Sequence, residues 1–95
     1  MNINLIIGVS ELLSKVEVIA YFKLDDSIKP LRIKLQENHF DKVIRISSII
    51  DKKIDKRCGN IMHEFICSSL SENKEHIFTL KYDVAATTWY ILMQN

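Results

Sequence analysis

Residues 76–82 read His-Ile-Phe-Thr-Leu-Lys-Tyr, and residues 87–93 read Thr-Thr-Trp-Tyr-Ile-Leu-Met. Both runs are rich in aromatic and β-branched side chains, which favour strands. Only the short link 83–86 separates them, a spacing typical of a β-hairpin. The end of the chain therefore predicts a pair of antiparallel strands.

Earlier runs show the same alternation of apolar and polar residues. Residues 16–24 alternate over nine positions, a pattern that a helix does not sustain. In residues 31–36 the alternation is the most regular of the chain, and Pro30 before them fits the start or the edge of a strand. The predicted strands before the closing hairpin are 16–24, 31–36, 39–51 and 61–67.

The run 39–51 is long for one strand, and its apolar pattern changes phase at Ser47-Ser48. Such a change predicts a bulge or bend, the device by which sheets curl. The charged residues 52–57 that follow, and the polar residues 68–75, are predicted to be loops.

These runs together predict a mainly β domain, a meander of five or six antiparallel strands. An open sheet leaves two edges unpaired, and closure is one way to remove them. We therefore expect a bent sheet or a small SH3-like barrel. The predicted core comprises Leu31, Ile33, Phe65, Phe78 and Trp89, sealed by the row Trp89, Ile91 and Met93.

The first residues fit two patterns. Apolar residues at positions 5, 6, 9, 12, 13 and 16 fit a helical stripe, whereas those at 3, 5, 7 and 9 fit a strand. We favour a short N-terminal helical segment over 1–15, followed by a β domain over 16–93.

Length and charge limit the classes of function. A chain of 95 residues that is 47% hydrophobic supports one domain with one core. The formal net charge of +1 argues against attachment to nucleic acid or membrane by bulk charge. Because the N-terminus lacks the cationic segment of a signal peptide, we expect a cytoplasmic protein.

Three motifs carry a resemblance to a known family. They are a Lys29-Pro30-Leu31 strand opening, a Gly59-Asn60 turn into a strand, and a Lys81-Tyr82-Asp83 link to the aromatic strand at Trp89-Tyr90. Over about residues 16–93 the sequence resembles a family of small uncharacterised bacterial proteins. The resemblance supports the β fold and is silent on activity.

The ligand-type side chains do not predict a metal site or an enzyme. Cys58 and Cys67 bracket a strand whose nine residues extend about 30 Å, whereas a disulfide needs α-carbons about 6 Å apart. We therefore expect free thiols, with Cys67 packed as a small hydrophobe. Adding His63 and His76 does not produce the close ligand pairs of zinc sites, and no catalytic motif accompanies the thiols. No cofactor is expected.

Cations and aromatic rings recur on the predicted outward face. Base stacking and phosphate contacts on a small barrel require these two kinds of side chain. The face could therefore bind single-stranded nucleic acid, although any solvated sheet shows similar alternation. Its predicted members are Tyr21, Lys23, Arg32, Lys34, Lys81 and Tyr90.

Two further features concern partners. The loop cations Lys52, Lys53, Lys56 and Arg57 could contact a phosphate or an acidic partner. Several strands are apolar on both faces, more than one core needs, so a second copy of the chain or a protein partner could cover the surplus. The favoured hypothesis is a non-enzymatic protein-interaction or self-associating module, such as a homodimer, with nucleic-acid binding as the alternative.

Overall fold

The structure, a computed structural model, describes residues 12–37, 39–56 and 59–93. These residues form eight strands and no helix, and so contain no helix that could cross a membrane. The prediction of a mainly β, antiparallel protein is confirmed. The strands are β1 (Leu12–Lys15), β2 (Glu17–Phe22), β3 (Ile28–Glu37), β4 (Phe40–Arg45), β5 (Ser48–Asp55), β6 (Met62–Ser71), β7 (Lys74–Asp83) and β8 (Thr88–Met93).

The strands form two sheets. One has five strands in the order β1-β8-β7-β6-β5, and the other has three in the order β2-β3-β4. The chain passes between the sheets at Val16 and again at Ile46-Ser47. At the second corner the Ile46 amide donates to the Leu31 carbonyl at 2.9 Å, and the Ser47 amide donates to the Ser68 carbonyl at 2.7 Å. These two bonds tie the corner to both sheets.

The bend predicted at Ser47-Ser48 is confirmed, because the run 39–51 divides there into β4 and β5. The closed SH3-like barrel is wrong, since the two sheets do not join into one cylinder. Their pairing partners change at the corner: β4 pairs with β3, whereas β5 turns away to pair with β6. Alternation along a strand shows which side chains share a face, but it does not identify the neighbouring strand.

Three assignments of local structure need correction. Residues 68–75 were predicted as a loop, but 68–71 end β6 and 74–75 begin β7, so that only Glu72 and Asn73 form the turn. Residues 12–15, predicted as the end of a helix, form β1 because β8 offers them a backbone partner, with Lys15 opposite Tyr90. The rest of the predicted N-terminal helix, residues 1–11, lies outside the described residues. Residues 52–55, predicted as a loop, belong to β5, where Lys53 pairs with Glu64 and its Nζ lies 3.2 Å from Oε2.

The strand predicted over 16–24 ends at Phe22, and Leu24 is fully exposed in the turn that follows. The Asp25 carboxylate forms this turn by accepting hydrogen bonds from the Ser27 amide at 3.0 Å and from its hydroxyl at 2.6 Å. The same two hydrogen bonds, the hydroxyl's first, hold the pKa of Asp25 below its usual range.

The core lies between the sheets. Ile33, Phe65 and Trp89 are buried as predicted, with Phe78 partly buried against them. Trp89 and Ile91 of the predicted sealing row are buried too, while the Met93 side chain lies outside the described part of the structure. An aromatic cluster fills one end, where the Trp89 ring lies 4.8 Å from Tyr82 and 5.8 Å from Phe65 between centroids.

Leu31 is not a core residue, contrary to prediction. The β2–β3 pairing shifts by one between Ile19 and Ala20, which pair with Arg32 and Pro30. Leu31 is therefore the extra residue of a β-bulge, which removes it from the inward alternation. Pro30 lies beside the bulge, where a sheet tolerates a residue with no amide hydrogen.

Candidate binding groove

A groove runs along the seam where β3 passes β5. It consists of two adjoining clefts, one of about 550 Å³ at the Ile46-Ser47 corner and one of about 410 Å³ toward the β2–β3 turn. Lys29 and Ile49 line both clefts. We call this the basic groove, and its charged and exposed aliphatic lining residues are Lys23, Lys29, Arg32, Arg45, Asp51, Lys52, Ile19, Leu31 and Ile50.

The groove exists because two strand edges meet there without pairing. β3 pairs with β4 only from Arg32 onwards, so its first residues have no strand on that side within the described residues. β5 is an edge strand, since it pairs with β6 alone. The groove therefore lies between two strand edges that do not pair with each other. Some of their backbone groups are already bonded, since the Leu31 carbonyl accepts from the Ile46 amide and the Lys52 amide donates to the Asp51 carboxylate.

Both aliphatic bulge residues line the groove. Leu31 is the extra residue of β3, and Ile50 is the extra residue of β5, because Ile49 pairs with Cys67 and Asp51 with Ile66. Leu31 is 39% exposed and Ile50 is 55% exposed. Bulges redirect side chains and occur often beside binding sites. Here the two bulges place one apolar side chain in each of the two clefts.

The groove concentrates positive charge. Among the described residues, five cations and one carboxylate, Asp51, line it, which gives a local net charge of +4. Since the whole chain carries +1, the remainder carries −3. Asp51 accepts a hydrogen bond from the Lys52 backbone amide at 2.9 Å. The groove is thus a basic surface on a nearly neutral protein.

Two of these cations lie directly opposite each other, because Arg32 pairs with Arg45 across β3 and β4. Like charges in this arrangement destabilise a sheet. The ion pairs of the described residues join Lys34 to Asp41, Lys53 to Glu64, and Lys81 to Glu64, and none involves a groove cation. Two guanidinium groups placed together without a carboxylate are suited to binding an anion.

Four of the predicted face residues lie on the three-stranded sheet or at the end of it. Lys23 and Arg32 line the groove. Tyr21 pairs with Lys29 of the groove and is 58% exposed. Lys34 lies on the same sheet outside the groove, and its Nζ is 3.3 Å from Asp41 Oδ2.

The other two predicted residues, Lys81 and Tyr90, lie on the five-stranded sheet. They are direct partners across β7 and β8. Lys81 Nζ lies 3.6 Å from Glu64 Oε1, so its charge is already paired. The structure therefore divides the six predicted residues between two sheets.

Sequence reasoning missed much of the groove lining: Lys29, Leu31, Arg45 and Ile50. Lys29 precedes a proline. Lys52 is one of the cations named above as able to contact an acidic partner, but the sequence predicts it in a loop and not on β5. The alternation pattern could not locate the two bulge residues, because it assumes that the strand register is unbroken. Arg45 could have been predicted, because the alternation that places Ile44 and Ile46 inward places Arg45 outward.

The described candidate metal and thiol residues, His63, Cys67 and His76, do not form a metal site. No group of three metal-ligating side chains occurs in the part of the chain that the structure describes, and Cys58 lies outside it. His63 pairs with Tyr82, Cys67 with Phe78, and His76 with Ser69. Burial raises the pKa of the Cys67 thiol to about 12, which keeps it protonated and a poor nucleophile at neutral pH.

Comparison with known proteins leaves the groove as the principal guide to function. No protein-family model matches the sequence, and no match was found among curated proteins or solved structures. The resemblance to small bacterial proteins stays a prediction.

Proposed function

We propose that this protein is a non-enzymatic binding module whose basic groove holds an acidic, extended segment of a protein partner. The observation that carries the proposal is the groove itself, with a net charge of +4 and the opposed pair Arg32 and Arg45. Carboxylates on a partner would relieve this repulsion and form charge-assisted hydrogen bonds with the guanidinium groups.

The unpaired edges of β3 and β5 favour an extended partner. A peptide that adds to a strand edge gains backbone hydrogen bonds, and its alternate side chains reach the surfaces beside it. Ile19, Leu31 and Ile50 would supply the apolar contacts for such side chains. A segment that alternates acidic and aliphatic residues fits both features of the groove.

Single-stranded nucleic acid is the less favoured partner. It needs aromatic rings on which successive bases stack, and the apolar lining that the groove offers is aliphatic. Tyr21, beside Lys29, is the exposed ring that supports this alternative.

The proposal predicts that an alternating Glu-Val peptide binds the wild-type protein. Each charged hydrogen bond contributes about 1.5–3 kcal/mol, so replacing Arg32 and Arg45 together by Ala should weaken binding by at least about tenfold. The measurement is fluorescence anisotropy of the labelled peptide at low salt. A Lys15→Ala, Lys74→Ala variant removes two exposed cations outside the groove and is the matched control.

Equal losses in the groove variant and in the control would contradict the proposal, because they would show attraction by charge alone. Tighter binding of oligothymidine than of the peptide, lost in Tyr21→Ala, would replace the protein partner by nucleic acid. No binding to either probe would remove the groove as a site for anionic polymers.

Self-association is a second candidate, supported by exposed apolar residues at the end of the molecule that holds the β2–β3 turn. The centroid of the half-exposed Phe22 ring lies 5.6 Å from that of the Tyr82 ring. Tyr82 pairs with His63 on β6, and His63 pairs in turn with the exposed Ile54 on β5. An apolar end of this kind suits a two-fold interface. Sedimentation equilibrium should show a dimer that Phe22→Ser dissociates, and a monomer at high concentration would eliminate it.

A further inference from the structure

A separate cavity lies between the inner faces of the two sheets, near the β6–β7 turn. Its volume is about 300 Å³, which is at the lower end of the range for small-molecule sites. It shares no lining residue with the basic groove. Its apolar wall comprises Ile33, Leu35, Ile44, Phe78, Ile91 and Leu92.

One polar residue of the cavity lining is buried. Ser69 is 3% exposed and lines the cavity, and its hydroxyl forms no hydrogen bond with a described residue. Every fully enclosed polar side-chain atom in the described structure has a hydrogen-bond partner. Because the Ser69 hydroxyl has none, it is not fully enclosed. Since Ser69 lines the cavity, a ligand there could supply the missing hydrogen-bond partner of this hydroxyl.

A cation lies on the inward face at the rim. Lys42 pairs with Leu35, two rows along from the inward pair Ile33 and Ile44 and on the same face. It forms no ion pair with a described residue. His76, paired with Ser69 on β6, also lines the cavity, and its described lining residues include no carboxylate. An inward cation at the mouth of an apolar cavity departs from the usual apolar pattern of inward positions.

We propose that this cavity binds a small amphipathic carboxylate. The apolar chain would lie against the aliphatic and aromatic wall, while the carboxylate would accept hydrogen bonds from Lys42 and from the Ser69 hydroxyl, with His76 beside it. The charge of Lys42 selects an anionic head over a neutral one, and the cavity volume limits the ligand to a short or medium chain.

The test compares decanoate with decanol by methyl NMR, following the isoleucines at positions 33, 44 and 91. Decanoate should shift these methyl signals in a saturable way. Lys42→Gln changes an exposed residue and should leave the fold intact. It should weaken the binding of decanoate by roughly tenfold, because a charged hydrogen bond is lost. Decanol should bind equally to the wild type and to this variant. Lys34→Gln, on the outer side of the same sheet, is the control.

A bulky substitution tests the location independently. Ile44→Phe narrows the cavity and should abolish the decanoate shifts, provided that its melting curve shows a folded protein. If that variant does not fold, Lys42→Gln with its control remains decisive. Methyl shifts that do not saturate, that occur away from the cavity, or that respond equally to Lys42→Gln and Lys34→Gln would overturn the proposal.

Discussion

Cys67 shows how burial determines the chemistry of a residue. The side chain has no exposed surface, and its Sγ lies 3.8 Å from the Phe65 carbonyl oxygen. Because the surroundings cannot stabilise a thiolate, burial raises the pKa from 9.0 to about 12. Iodoacetamide at mild alkaline pH should therefore modify Cys67 far more slowly in the native protein than in urea, as measured by peptide mass mapping.

The same pKa shift makes the free energy of unfolding depend on pH. The protonated thiol is favoured in the folded state, so its contribution is complete below pH 9.0 and is lost as the pH rises to about 12. A Cys67→Ala variant should lack this part of the alkaline decline. Rapid alkylation of native Cys67, or identical alkaline profiles for both proteins, would contradict its burial.

Trp89 is the residue whose removal should cost most. It is 8% exposed and contacts the rings of Tyr82 and Phe65. Trp89→Ala should lower the free energy of unfolding by about 3–5 kcal/mol, since it removes a large buried side chain and leaves a cavity. Urea denaturation measures the change. Tyr21→Ala, at an exposed position, should stay within about 0.5 kcal/mol of the wild type; an equal loss in both variants would contradict the core assignment.

At the scale of elements, the turn of the β6–β7 hairpin holds backbone strain that a substitution can remove. Its turn residues Glu72 and Asn73 have φ values of 52° and 63°, the left-handed region that two-residue hairpin turns require. Glutamate adopts this region at a cost of about 1 kcal/mol. The double substitution Glu72→Asn with Asn73→Gly should therefore raise the free energy of unfolding by about 0.5–1 kcal/mol. A thermal or urea melt that shows lower stability would contradict this turn geometry.

The elements also show what a sequence can and cannot predict. A strand with strict alternation, such as the one around Ile33, could be predicted because one of its faces is buried. The bulges at Leu31 and Ile50 could not, because one extra residue leaves no local trace in an apolar run. Residues 52–55 were not recognised as part of a strand because most of them are charged. In the fold, Lys53 is stabilised by Glu64 on the neighbouring strand, and the sequence alone does not show this contact.

At the scale of the whole molecule, the separation of charge is the main finding. The net charge of +1 concealed a groove of +4 and a remainder of −3. Its cations come from both sheets and from the β2–β3 turn, so only the three-dimensional arrangement brings them together. Binding in the groove should weaken as salt rises, because salt screens exposed charges.

The most direct measurement is an amide NMR titration of the wild-type protein with the alternating Glu-Val peptide. We expect the largest shifts in residues 28–32 and 45–52, the two edges of the groove, with small shifts at Lys81 and Tyr90 on the other sheet. Shifts centred on Lys81 and Tyr90, or spread evenly over all exposed cations, would contradict the groove as the binding site.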